Sequence, residues 1–129
     1  RGVQMNEMKF EVYPEGMYNI IKQFSKYDID NIIITENGAC FKDSVENKRV
    51  HDPKRINFFE RYLEQILKAK NEGAPVNGYF VWSLTDNFEW SEGYDPRFGL
   101  IHVDFKTQKR IIKDSGYWFQ SFLSDKENK

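Results

Sequence analysis

One carboxylate and a pair of indoles are the side chains here whose types and spacing best suit chemistry. Glu36 closes an apolar run in Ile34-Thr35-Glu36-Asn37-Gly38. Mounted just after a buried strand, with Asn37-Gly38 allowing a sharp exit, such a carboxylate would face a cavity as a nucleophile does. Further along, Trp82-Ser83-Leu84-Thr85-Asp86-Asn87-Phe88-Glu89-Trp90 sets two indoles and Glu89 within nine residues. A sugar packs its CH face on indole rings and offers hydroxyls to carboxylates, so this grouping points to carbohydrate. Plainer roles stand beside these: a strand-end Glu is often a solvated charge, Trp82 fits a core as well as a platform, and Glu89 fits a surface. Glu92, Asp86 and Asp95 read as structural or rim charges. His51 precedes a helix cap and His102 alternates within a strand pattern, neither with the partners of a catalytic or metal role. Cys40 reads as an incidental free thiol.

The elements that must hold these groups can be traced along the chain. Pro14-Glu15-Gly16 opens a helix over 14–26, with Met17, Ile20, Ile21 and Phe24 at helical spacing. Ile29 to Thr35, centred on Ile32-Ile33-Ile34, is β-branched and apolar on both faces, as in a strand covered by helices on both sides. Ala39 to Val50 lacks a period and reads as a surface loop of functional length. Asp52-Pro53 then starts a helix whose stripe is Ile56, Phe59, Leu63, Ile66 and Leu67, with Asp52 as cap and Gly73 as a left-handed close. Gly78 to Ser83 is a second buried strand, so β, α, β follow in order and predict a parallel sheet. Glu36 and the Trp82-to-Trp90 segment both fall at the C-terminal ends of its strands.

Leu84 to Arg97 has no hydrophobic period, yet it carries Phe88, Trp90 and Tyr94, which suggests a binding surface. Phe98 to Phe105 and Lys109 to Ile112 suggest a rim hairpin. Asp114 caps a last helix to about Leu123, with Tyr117, Trp118, Phe119 and Phe122 as apolar material, before a frayed charged tail. There is no internal repeat.

Composition narrows the classes further. The chain has 129 residues, 40% hydrophobic and 16% aromatic, enough for one folded domain and too few for two ordinary ones. Its formal charge of -1 offers no basic field for nucleic acid or anionic lipid. Its apolar runs fall far short of the roughly 20 residues needed to cross a bilayer. With 1 Cys and 2 His, neither an internal disulfide nor a four-ligand Cys/His zinc site can form, and a reducing, cytoplasmic setting is the expectation. The start, Arg1-Gly2-Val3-Gln4-Met5-Asn6-Glu7-Met8, reads as a chain entered partway through.

Five motifs then fall into register: Val12-Tyr13-Pro14-Glu15-Gly16, Thr35-Glu36-Asn37-Gly38, Asn77-Gly78-Tyr79-Phe80-Val81-Trp82-Ser83, Asp86-Asn87-Phe88-Glu89-Trp90, and Gly93-Tyr94 with Arg97-Phe98-Gly99-Leu100. In order and spacing they closely resemble the C-terminal part of glycoside hydrolase family 1 β-glucosidases, over about Met8 to Leu123. The resemblance implies an α/β fold, the C-terminal part of a (β/α)8 barrel with 31–35 and 78–83 as its last two strands plus a rim hairpin. It makes Glu36 the nucleophile of a retaining mechanism and Trp82 the platform under the sugar. Glu89 is implied on the C4 and C6 hydroxyls, Trp90 near C3, and Phe98 beside the same subsite. Members preferring 6-phosphorylated sugars replace the Glu-Trp pair, so Glu89-Trp90 implies an unphosphorylated β-glucoside or β-galactoside. No metal or organic cofactor is called for.

A retaining glycosidase also needs an acid/base carboxyl about 5 to 5.5 Å from the nucleophile. The family supplies it from an Asn-Glu-Pro motif, which is absent from this sequence. A full barrel takes about 250 residues, so residues 1–129 are expected to be a fragment of one barrel domain, inactive by itself. Its open sheet edges predict a homo-oligomer or a complementing N-terminal chain. Phe10, Tyr62 and Thr85 depart from the family pattern without touching the nucleophile. The rivals are a non-catalytic sugar-binding or structural fragment, and an adhesion-like relative that the intact Thr35-Glu36-Asn37-Gly38 disfavours.

Overall fold

The computed structural model describes residues 4–125; the first three residues and the tail from 126 onward, where the charged end of the chain was expected, lie outside them. Along the chain come α1 (Pro14–Phe24), β1 (Ile32–Asn37), β2 (Val45–Glu46), β3 (Arg49–Val50), α2 (Pro53–Asn71), β4 (Val76–Val81), β5 (Ile101–Val103), β6 (Arg110–Ile112) and α3 (Asp114–Ser124). β1 and β4 pair in parallel with α2 between them in sequence, the predicted β, α, β unit. These two strands make an open sheet: among the described residues no barrel closes.

Boundaries differ from expectation for local reasons. α1 stops at Phe24 because Ser25 turns its hydroxyl back onto the Ile21 carbonyl and the next amides enter turns. β1 starts later than Ile29, which sits exposed in a turn, because pairing begins where the Ile32 N–H meets the Pro75 carbonyl at 2.7 Å. Glu36 and Asn37 therefore lie within the strand, not after it. Likewise β4 ends at Val81, leaving Trp82 and Ser83 beyond it. The segment 39–50 is no plain surface loop: Ala39, Cys40 and Phe41 are buried, and β2 and β3 form a tight hairpin on Asn47-Lys48, both with positive φ as a mirror-image turn requires. Burial raises the pKa of the Cys40 thiol, so it stays protonated.

The core is built from one face of the sheet and the helices. Ile34 and Val76 are buried with Ile21, Phe58, Phe59, Leu63, Ile66 and Ala69. Phe59 stacks on Trp118 at 6.5 Å, which fastens α3 to α2, and Trp118 stacks on Phe122 within α3 at 5.5 Å. Tyr117, expected as apolar filling, faces out. The opposite face of the sheet is bare: Ile33 and Phe80 are 47% and 60% exposed, which corrects the expectation of helices on both sides.

Two capping expectations also change. Gly73 closes α2 at φ +92, as predicted. Asp52, however, makes no side-chain cap on α2; its carboxylate accepts the Ser115 N–H at 2.8 Å and so caps α3 from a distance. Asp114 is the first residue of α3, not its cap, and its carboxylate binds His51 Nδ1 at 2.6 Å and Arg49 at 3.1 Å. His51 thus has a partner that its sequence context did not disclose.

Candidate active site

Glu36 and Trp82 stand at the C-terminal ends of neighbouring parallel strands. Asn37 pairs with Val81, and the Trp82 N–H donates to the Asn37 carbonyl at 3.0 Å. The ladder loses register between Ile34 and Asn37, so the irregularity falls on Thr35 and Glu36, a device that re-aims side chains at sheet ends. Gly38 is needed for close approach: a Cβ there would lie 1.7 Å from the Trp82 carbonyl oxygen. Tyr79 ties the two strand ends from the buried side, its hydroxyl donating to Asn37 Oδ1 at 2.9 Å. Burial holds the Tyr79 pKa far above its ordinary value, so that hydroxyl keeps its proton. Glu36 itself is exposed, and among the described residues its carboxylate has no hydrogen-bond or ion-pair partner.

The Trp82–Ser83 peptide bond is cis, and beyond it the chain rises into the loop that carries the other candidates. Ser83 donates to the Phe98 carbonyl at 3.3 Å and accepts from Leu100 N–H at 2.9 Å, which brings Phe98 next to the Trp82 end of β4. Glu89 is half-buried and starts a one-turn 3-10 helix, Trp90–Glu92, its N–H donating to Gly93. Trp90 takes φ +42 and is 81% exposed, against 36% for Trp82. Phe88 and Tyr94, expected as binding surface, are both exposed and pack against each other with tilted rings at 5.3 Å; Tyr94 packs on Phe105 at 4.5 Å, and the Arg97 guanidinium lies over Phe105 at 4.9 Å. Phe88 and Tyr94 brace the loop while staying exposed, and Trp90 is its most open ring.

Beneath the loop lies a charge network that the sequence reading missed. Asp86, read as a structural or rim charge, is structural: it is buried and accepts from Lys113 Nζ at 2.8 Å, Arg97 at 2.6 Å, and the N–H groups of Gly99 and Val103 at 2.9 and 3.3 Å. Lys113 also reaches Asp43 at 2.5 Å. Arg55, fully buried, binds Asp43 and Asp52 and donates to the Arg97 carbonyl at 2.7 Å. Asp43, Asp52 and Asp86 are thereby balanced by Arg55, Arg97 and Lys113, so no buried charge is left alone. A signal existed: Arg55 stands at helical spacing from Phe58, Phe59 and Tyr62, on the buried stripe.

Burial would raise the Asp86 pKa, but Lys113 and then Arg97 hold it below the usual carboxylate range. His102 is held below its ordinary value by burial and by Arg97, so it is neutral near pH 7. Asp43, Asp86 and His102 lie close enough to hold a cation. The Lys113 ammonium bridges those two carboxylates and already serves as their positive charge.

Two clefts of the surface lie apart from these residues. One of about 680 Å³ is lined by residues including Met8, Phe41, Glu92, Asp95 and Arg97, and one of about 460 Å³ runs under the β5–β6 hairpin. Glu36, Trp82, Glu89 and Trp90 border neither. They lie on an open surface instead.

Comparison with known proteins shows the family. The sequence model described as Glycosyl hydrolase family 1 matches residues 1–128. β-Glucosidase A of Thermotoga maritima is 50% identical over 127 residues, covering 97% of this chain and 28% of that protein. A 6-phospho-β-galactosidase of Clostridium acetobutylicum is 42% identical, covering 97% of this chain and 27% of that protein. The solved structure of the family 1 β-glucosidase from Thermotoga maritima superposes with a TM-score of 0.94 at 49% identity, over 96% of this chain and 28% of that one. The chain therefore spans less than a third of the length of these proteins.

Proposed function

Because this chain belongs to glycosyl hydrolase family 1, we propose that it carries the sugar-capturing part of a retaining β-glycosidase acting on unphosphorylated terminal β-glucosides or β-galactosides. The observation that carries this reading is the exposed, unpartnered Glu36 carboxylate placed beside Trp82 by the Asn37–Val81 pairing. Glu36 attacks the anomeric carbon through an oxocarbenium-like transition state. A bond forms from its carboxylate oxygen while the glycosidic C–O bond breaks, leaving a covalent glycosyl-enzyme. Water then attacks that carbon, and the carboxylate departs with configuration retained. Trp82 supplies the ring face under the sugar, Glu89 takes the C4 and C6 hydroxyls, Trp90 lies near C3, and Phe98 flanks the same subsite.

Two proton transfers, to the leaving oxygen and from the attacking water, need a second carboxyl that this chain does not supply. The isolated chain therefore turns over aryl β-glucosides negligibly. The bare sheet face and the two open edges of β1 and β4 support assembly with upstream barrel strands. Relatives of both the phosphorylated and unphosphorylated classes match this chain, so the preference rests on Glu89, whose charge would repel a 6-phosphate. Among the described residues no helix is long and apolar enough to cross a membrane.

The test joins this chain behind the upstream strands of Thermotoga maritima β-glucosidase A and treats the chimera with a 2-fluoro β-glucoside. Expected is one label, mapped to Glu36 by peptide mass, and none in Glu36→Ala. Labelling at another carboxylate, or sugar binding with no label in a chimera that folds, would reduce the chain to a sugar-binding fragment.

A further inference from the structure

The loop that bears Glu89 and Trp90 is pinned at both ends by a single buried side chain. Its two stems are joined by backbone bonds, with Asp86 N–H on the Ile101 carbonyl at 3.0 Å and Ile101 N–H on the Leu84 carbonyl at 2.9 Å. Asp86 adds a second tie with its carboxylate. One oxygen accepts from Gly99 N–H and Lys113, the other from Arg97 and Val103 N–H. Those partners come from the returning stem, the β5–β6 hairpin and the residue just before α3. The approach is tight, for a Cβ on Gly99 would sit 2.2 Å from the Asp86 nitrogen. Between the pinned ends, Trp90 is mostly exposed and holds a left-handed backbone that non-glycine residues rarely keep. Strained conformations persist where their surroundings over-determine them, and Trp90 has no core packing to do so.

We propose that Asp86, seconded by Arg97, is the positioning residue of the sugar subsite: it fixes the spacing between the stems of the loop 87–97 and thereby the placement of Trp90 and Glu89. This deepens the reading of that loop as the glycone site and rests on it. Asp86 touches no substrate. Its effect passes through the stems, and through the Arg97–Phe105–Tyr94–Phe88 ring contacts that run back to the residue before Glu89. A displaced loop would weaken the hold on the sugar hydroxyls while leaving Glu36, on β1, in place.

The test uses Asp86→Asn, which keeps the shape and one acceptor but turns the other oxygen into a donor facing Arg97 and Val103 N–H. The full chain is labelled with 5-fluorotryptophan, whose three fluorine signals come from Trp82, Trp90 and Trp118. Expected is a shift or broadening of the Trp90 signal, with the Trp118 signal unchanged. In the chimera, KM for an aryl β-glucoside rises about tenfold or more while kcat changes less than about threefold. Should Asp86→Asn fail to fold, Arg97→Lys, which keeps the charge but loses the fork geometry, is expected to move the same signals less. An unmoved Trp90 signal in a folded variant, or equal losses in kcat and KM, overturns the positioning role. If the chimera neither labels nor turns over, the glycosidase reading has failed, and the fluorine signals still decide whether Asp86 sets the loop.

Discussion

Gly38 and the carbonyl of Trp82 are in backbone contact, leaving no room for even a methyl group between the strand ends that carry Glu36 and Trp82. Gly38→Ala must therefore push β1 away from β4. Overpacking costs about 1–3 kcal/mol where side chains can adjust, and here the obstacle is backbone. Denaturant unfolding should show a loss at or above the upper end of that range, together with loss of 2-fluoro glucoside labelling in the chimera. Wild-type stability in Gly38→Ala would mean that the two strand ends are not in contact.

Lys113 is a fully enclosed cation of the buried network, bridging Asp43 and Asp86. Replacing it with Met leaves two carboxylates facing each other, and removing one partner of a buried pair typically costs about 3–5 kcal/mol. Lys113→Met should lower the unfolding free energy by about that much. Lys22→Met breaks only the part-exposed pair with Glu72, at 3.3 Å, and should change stability by less than about 1 kcal/mol. Equal effects in the two variants would contradict the network.

Acid stability follows from the same carboxylates. Asp86 is held below its ordinary value in the fold, so its contribution is complete above about pH 4, where the unfolded group is ionised, and is lost as pH falls through the folded value. Asp104 and Asp114, also held low, lose theirs in the same acid range. His102 is shifted down as well, so stability falls as pH drops below about 6.5 toward its folded value. Melting curves from pH 7 to pH 2 should decline in both windows. His102→Gln should flatten the first and leave the second. An unchanged first window in that variant would show that His102 titrates normally.

Much of this architecture is legible in the sequence because it rests on local period and turn chemistry. Pro14 and Gly73 mark helix ends, and the stripe from Phe59 to Ile66 marks the buried side of α2. Glu36, Trp82 and Trp90 stand out because their types are costly where they sit. The burial of Asp86, Lys113 and Arg55 is not legible in that way, since what buries them comes from segments distant in sequence: Asp43 is 70 residues from Lys113. Asp52 shows the same limit. Its position suits a cap for α2, and only the arrival of α3 draws its carboxylate to Ser115 instead. The bare side of the sheet is illegible for the opposite reason, because Ile32-Ile33-Ile34 reads as doubly covered whether or not the cover is in the same chain.

Substrate charge gives a further prediction. A carboxylate about 4 Å from a phosphate charge in a site of effective dielectric near 20 is repelled by about 4 kcal/mol, far more than a factor of ten in rate constant. The chimera should therefore hydrolyse an aryl β-glucoside with kcat/KM at least tenfold above that for its 6-phosphate. Glu89→Gln should narrow the gap by weakening the first and easing the second. A preference for the 6-phosphate would place this chain with the phosphoglycosidases of its family and remove Glu89 from the C6 hydroxyl.

The open face of the sheet should govern how the chain behaves alone. Ile33 pairs with Gly78, and Phe80 and Trp82 follow Gly78 at alternate positions, so their exposed side chains line one face that no described residue covers. Both strands also keep a free edge, a template for pairing with another chain. Apolar burial contributes about 25 cal/mol per Å², so joining two such faces outweighs the loss of free motion only when the edges pair as well. Sedimentation at micromolar concentration should then show species heavier than the 15.4 kDa monomer. The double change Ile33→Thr and Phe80→Thr keeps strand preference while removing apolar area, and should shift the distribution toward monomer without lowering helix content. The upstream barrel strands would cover the same surface, so the chimera should be monomeric where the chain alone is not. A wild-type chain that sediments as a single 15.4 kDa species at every concentration would show that this face needs no partner.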